Sequence, residues 1–157
     1  MLEQIAMLGL KLDREAIEPL SWALYERSQG VSGPRYLIAQ SALQSLSRDI
    51  ARFMQKFDLL LTPTLAEPPS PLGWFDQPPE YPLRALDRAG AFIPFTPLAN
   101  VTGLPAMSVP LYWTADGLPV GTHFIARFGD ESTLFRLAAQ LEAARPWAGR
   151  KPPVSTF

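Results

Sequence analysis

A chain of 157 residues, 47% hydrophobic and 18% charged, has the length of one domain and enough apolar material for a core, which excludes intrinsic disorder. Net charge is −1, and the arginines are scattered rather than aligned, so there is no basic stripe for nucleic acid. With no cysteine and a single histidine, His123, the composition excludes disulfides, thiolate sites and a zinc centre.

Residues 1–12 are apolar but unpatterned, and read as part of an element that begins upstream. They lack the basic lead and apolar length of a signal peptide. No run of about twenty apolar residues occurs anywhere, so no membrane span is expected and the cytoplasm is the default location. Pro19, with Glu18 before it and Gly30 beyond, sets a helix over about 19–29 that buries Leu20, Ala23 and Leu24. Ser32 caps the next helix, over about 34–57, with Pro34 in its first turn. Its apolar stripe, Tyr36, Ala39, Leu43, Leu46, Ile50, Phe53 and Phe57, steps by three and four. Leu46 and Ile50 lie mid-stripe and are expected to be almost fully buried.

A strand over about 58–61 follows. It is wholly apolar after Asp58, which predicts cover on both faces. Residues 62–82 hold seven prolines and read as a long loop, because proline removes ladder donors. An ordered enzyme loop pinned by Leu65, Leu72, Trp74 and Phe75 and a proline-rich ligand segment are the two readings. A short helix near Pro82 to Ala89 and a turn around Thr96 to Asn100 come next. Strands over about 106–109 and 120–128 are joined through the turn residues Ala115, Asp116 and Gly117. Asp130 caps a helix over 131–144 whose inner face is Leu134, Leu137, Ala138 and Leu141, and Pro146 ends it. Few strands among long helices predict an α/β layer arrangement in one segment, 1–157.

Two Gly-Leu-Pro tripeptides, at Gly103 and Gly117, each open an apolar run. The first follows Asn100-Val101-Thr102 and leads into Ala106 and Ser108-Val109-Pro110. The second continues as Pro119-Val120-Gly121 and runs on to Gly129-Asp130-Glu131. Upstream stands Phe57-Asp58-Leu59-Leu60-Leu61-Thr62-Pro63-Thr64. This order resembles the carboxy-terminal third of the amidase signature family over roughly Arg35 to Pro153. The wording Phe124-Ile125-Ala126-Arg127-Phe128-Gly129-Asp130-Glu131 is most similar to the branch containing 6-aminohexanoate cyclic-dimer hydrolase.

The resemblance implies a partial amidase-type α/β fold and hydrolysis of amide C–N bonds through an acyl-enzyme, without metal or other cofactor. Family members use a serine, a second serine in a cis peptide and a lysine. No Gly/Ser-rich loop of that kind occurs here, and none of Lys11, Lys56 and Lys151 follows a serine by three positions. No catalytic residue is therefore assigned, and the chain alone is expected to be inactive.

Ser108 lacks a base and a nucleophile elbow, and His123 reads as a structural or surface histidine. Adjacent Asp130 and Glu131 point apart on a helix and serve as cap and first-turn acid. Asn100 and Thr102 have two readings: bonds to the backbone of the turn at Gly103, or a place on the wall of a substrate cleft. The resemblance implies the second, together with Phe95 and Thr96. Trp74, Phe75, Tyr81, Phe92 and Phe95 read as ordinary packing or as pocket lining. The expected partners are the missing amino-terminal amidase portion or further copies of this chain, meeting at 106–109 or 120–128, with no nucleic acid and no membrane. A non-catalytic interaction or assembly module is the rival function.

Overall fold

A computed structural model describes residues 7–9 and 13–151; the reading of residues 1–12 falls almost wholly outside them. The described residues fall into two compact units, the first within 1–37 and 71–91, the second within 38–70 and 92–157.

In the first unit, helix α1 spans Pro19–Ser28 with proline at its start, where a missing N–H costs nothing. Leu20 and Ala23 are half-buried. Leu24, expected inside, is 40% exposed, and α1 has no fully buried residue. The indole N–H of Trp22 donates to the Glu26 carboxylate one turn on, at 2.7 Å. The proline-rich segment is ordered by specific bonds. The Arg88 guanidinium donates to the Trp74 carbonyl and lies 4.4 Å over the Trp74 ring. The Tyr81 hydroxyl donates to Asp87, which raises the Tyr81 pKa. Leu72, expected as an anchor, is fully exposed: Gly73 turns the chain with φ +79° and throws its neighbour outward.

Helix α2 spans Gly33–Met54 and passes from the first unit into the second. The Ser32 hydroxyl accepts from the Arg35 N–H at 3.4 Å, which caps it. Residues 55–57 leave the helix through a turn. Within the second unit lie strand β1 (Leu59–Pro63), β2 (Ala106–Trp113), β3 (Pro119–Ala126) and helix α5 (Glu131–Ala144). Between β1 and β2 in the chain lie helix α3 (Arg84–Phe92) and the short α4 (Pro97–Thr102), which ends at Gly103, whose φ of +70° makes the left-handed cap.

The sheet is antiparallel, in the order β1-β3-β2. Pro110 cannot donate to the ladder, and there the register slips so that Leu111 is left without a partner. Because β3 is central, the expected contact of a second copy along 120–128 has no free backbone edge to use. Among the described strands only β1 and β2 have one.

Side chains alternate across the sheet, so each face has its own core. On one, Val109, Phe124 and Ala126 meet Leu134 of α5, with Leu137, Leu141 and Trp147 beside them. On the other, Ile125 packs with Met54 of α2 and Leu104, flanked by Ile50, Leu60 and Leu98.

Two expectations of burial fail. Leu46 is 43% exposed, Leu43 49% and Phe53 of the last turn 47%; the α2 residues that meet the sheet core are Ile50 and Met54. The helix carries the apolar stripe its spacing predicts, yet its middle turns are only partly covered in this unit, with the Ser47 hydroxyl donating to the Val101 carbonyl of α4 at 3.3 Å. Leu61 is also exposed, at 61%. Leu59 and Leu60 are each packed on a core, one on either face of β1, but Leu61 stays open on the α5 side of this edge strand, which its unbroken apolar run does not reveal. No helix among the described residues is long and apolar enough to cross a membrane.

Candidate functional site

The register of the three strands assembles a polar row. Thr62 pairs with His123, and His123 pairs on its other side with Ser108. Two residues along from Leu60 and Ile125, these side chains share the sheet face that packs against α2. The row thus continues an apolar core with hydroxyls and an imidazole. Thr62 Oγ1 lies 3.0 Å from His123 Nδ1. His123 is only 4% exposed, and burial pushes its pKa below 6.5, favouring the neutral ring.

One step further, Thr64 and Ser108 reach across the central strand and share a hydrogen bond of 2.6 Å. They can do so because residue 121 is glycine. A Cβ there would sit 2.6 Å from Ser108 Oγ and closer still to Thr64 Oγ1. The Thr64 N–H also donates to the Gly121 carbonyl at 3.1 Å. This staple holds the start of the proline-rich segment to the sheet.

Chemically the row offers hydroxyl donors and acceptors beside a neutral histidine. Ser108 is exposed, but its bond runs to Thr64 and that of His123 runs to Thr62. The nucleophile–base pairing that activates a serine is thus not formed between them. Among the described residues no group of three or more His, Cys, Asp or Glu could hold a metal ion.

The four cleft candidates sit on or just before α4. Phe95 and Thr96 are half-buried; Thr96 occupies the N-cap position without a capping side-chain bond. The Thr102 hydroxyl donates to the Leu98 carbonyl at 2.7 Å and accepts from the Leu104 N–H at 3.4 Å. Its polar capacity is spent on the local turn. Asn100 is exposed. Thr62, Thr64 and Gly121 were not singled out from sequence. The Thr-x-Thr spacing puts both threonines on one face of a strand, but only the cross-strand register brings Ser108 and His123 to them.

Asp130 stands at the N-cap of α5, and its carboxylate accepts from the Thr133 hydroxyl at 2.8 Å and from Ser132 at 3.1 Å. The Thr133 bond leads the causes that hold its pKa below the usual carboxylate value. Arg127 forms an ion pair with Asp58, just ahead of β1.

The family model described as Amidase matches residues 6–135. AmiC of Mycobacterium leprae, whose name assigns it provisionally to the amidases, is 42% identical over 140 residues; the alignment covers 89% of this chain and 29% of that protein. The 6-aminohexanoate-cyclic-dimer hydrolase of Paenarthrobacter ureafaciens is 31% identical over 154 residues, covering 93% of this chain and 31% of the hydrolase. A solved structure of 6-aminohexanoate cyclic dimer hydrolase superposes with a TM-score of 0.86 at 27% identity, over 96% of this chain and 32% of the other. The chain thus spans about three-tenths of the length of the relatives it matches. On the family match and on these relatives, the chain belongs to the amidase family.

Proposed function

We propose that this chain is the carboxy-terminal portion of an amide hydrolase acting on C–N bonds other than peptide bonds, in the cytoplasm. In this reading it supplies a sheet and one wall of the substrate cleft, with Phe95, Thr96, Asn100 and Thr102 on that wall. The nucleophilic serine, its cis-serine partner and the lysine base come from amidase polypeptide outside these residues. The observation that carries the reading is the family match over residues 6–135, joined to relatives of which the chain spans only about three-tenths. The exposed apolar turns of α2 support it, since a monomer seldom leaves such a stripe to water.

The test is release of ammonia or amine from simple amides. The pure chain is expected to be inactive, because losing the nucleophile removes orders of magnitude in rate. Mixing it with AmiC from which the matching stretch has been deleted is expected to restore turnover. Saturable hydrolysis by the chain alone, abolished by Ser108→Ala, would overturn the assignment. The same exposed stripe also favours a second reading, a non-catalytic assembly module that binds such a partner or a second copy of itself. Binding without turnover in the mixture would select it.

A further inference from the structure

The end of the β2–β3 hairpin forms one wall of an open groove of about 830 Å³ in the second unit, built from Pro110, Trp113, Leu118, Trp147, Arg150 and Lys151. That volume lies within the range of small-molecule sites, which are mostly apolar with a few placed polar groups. The scaffold is firm. Trp113 pairs with Pro119 across the strands, and the hairpin closes with Thr114 N–H donating to the Leu118 carbonyl at 2.9 Å. The Arg150 N–H donates to the Trp147 carbonyl at 2.9 Å, which sets the turn carrying the cation.

The Arg150 guanidinium lies 4.0 Å above the Trp113 ring. Stacking occupies one flat face and leaves the edge of the guanidinium, with its fork of N–H donors, for a planar acceptor. Lys151 adds a second cation to the groove, and Asp116 is the acid among the lining residues. Neither Arg150 nor Lys151 forms an ion pair with a described residue. The groove therefore combines indole and proline surface with net positive charge and a fork that has no ion-pair partner among the described residues.

We propose that this groove binds a small carboxylate with an apolar body, an alkyl or aryl acid, with its carboxylate on the Arg150 fork and its body against Trp113 and Trp147. A bidentate guanidinium–carboxylate pair is charge-assisted and directional, while the indoles supply area. The proposal does not depend on the amide-hydrolase reading.

The experiment is an NMR titration of the full chain, following the indole N–H signals of its four tryptophans. The probes are hexanoate and phenylacetate, with hexanamide and phenylacetamide as neutral counterparts. Trp113 and Trp147 are expected to shift saturably with the acids, while Trp22 and Trp74 stay in place. The amides should bind weaker by about tenfold or more, the usual scale of a hydrogen bond to a charged group. Arg150→Gln should abolish the preference for acid over amide, and Lys151→Gln should reduce it less. Equal affinity for acid and amide, shifts spread evenly over all four indoles, or no shift at Trp113 and Trp147 would overturn the proposal on the wild-type protein alone. So would an unchanged preference in a folded Arg150→Gln variant.

Discussion

Helices α2 and α5 have the same kind of sequence and meet opposite fates. Both repeat apolar residues at three and four, and both lie on the three-stranded sheet. Leu134 of α5 is buried, with Leu137 and Leu141 packed around the same cluster, so this stripe is used along its length. In α2 the stripe is longer, but it reaches the core only through Ile50 and Met54, while Leu43 and Leu46 stay about half exposed. Periodicity states which face of a helix is apolar. It does not state how much of that face finds a partner within the same stretch of chain.

The sharpest way to break this comparison is through the central strand that both helices share. Ile125 is fully buried against Met54 and Leu104. Ile125→Ala is expected to cost about 2–5 kcal/mol, and Leu134→Ala on the opposite face a similar amount. Urea unfolding checks both. If either change is nearly neutral, the corresponding core is not closed.

Next in size is Gly121→Ala, at about 1–3 kcal/mol, since the new methyl pushes apart the Thr64 and Ser108 hydroxyls. Adding Ser108→Ala should recover part of the loss. A smaller effect comes from His123. Its folded-state pKa is lowered from 6.5 by burial, so the unfolded chain binds the proton more readily. The stability from keeping the ring neutral is full above pH 6.5 and is lost as pH falls through the depressed folded value. Urea midpoints measured across that window should decline on acidification, and His123→Asn should flatten the decline.

The smallest effect is expected at Leu46. Periodicity alone predicts a core-sized loss for Leu46→Ala, but at 43% exposure the isolated chain should lose under about 1 kcal/mol. Setting this against Leu134→Ala measures the difference between the two helices directly.

The local parts of the fold were legible in the residues. Pro19, Ser32 and Asp130 mark the starts of α1, α2 and α5, and Gly117 marks the hairpin turn. Each rests on chemistry within a few residues of chain. The amidase resemblance was likewise readable from the ordered Gly-Leu-Pro segments and the Asn100-Val101-Thr102-Gly103 turn. What was not legible depends on partners distant in sequence. Leu61 reads as doubly covered because three leucines in a row cannot reveal that β1 is an edge strand. The row Thr62–His123–Ser108 exists only through register. The Thr64–Ser108 staple further needs a glycine on a third strand. For Phe95, Thr96, Asn100 and Thr102 the sequence located a segment, and the structure adds that Thr102 bonds its own turn.

The central claim is that the uncovered turns of α2 await the rest of an amidase fold. The direct measurement is amide hydrolysis by this chain mixed with AmiC lacking the matching stretch, run with wild type and with Leu46→Asp. The account predicts turnover with wild type and none with Leu46→Asp, although that variant alone unfolds at a urea midpoint close to wild type. Equal turnover with both chains, or saturable hydrolysis by the wild-type chain with nothing added, would contradict it.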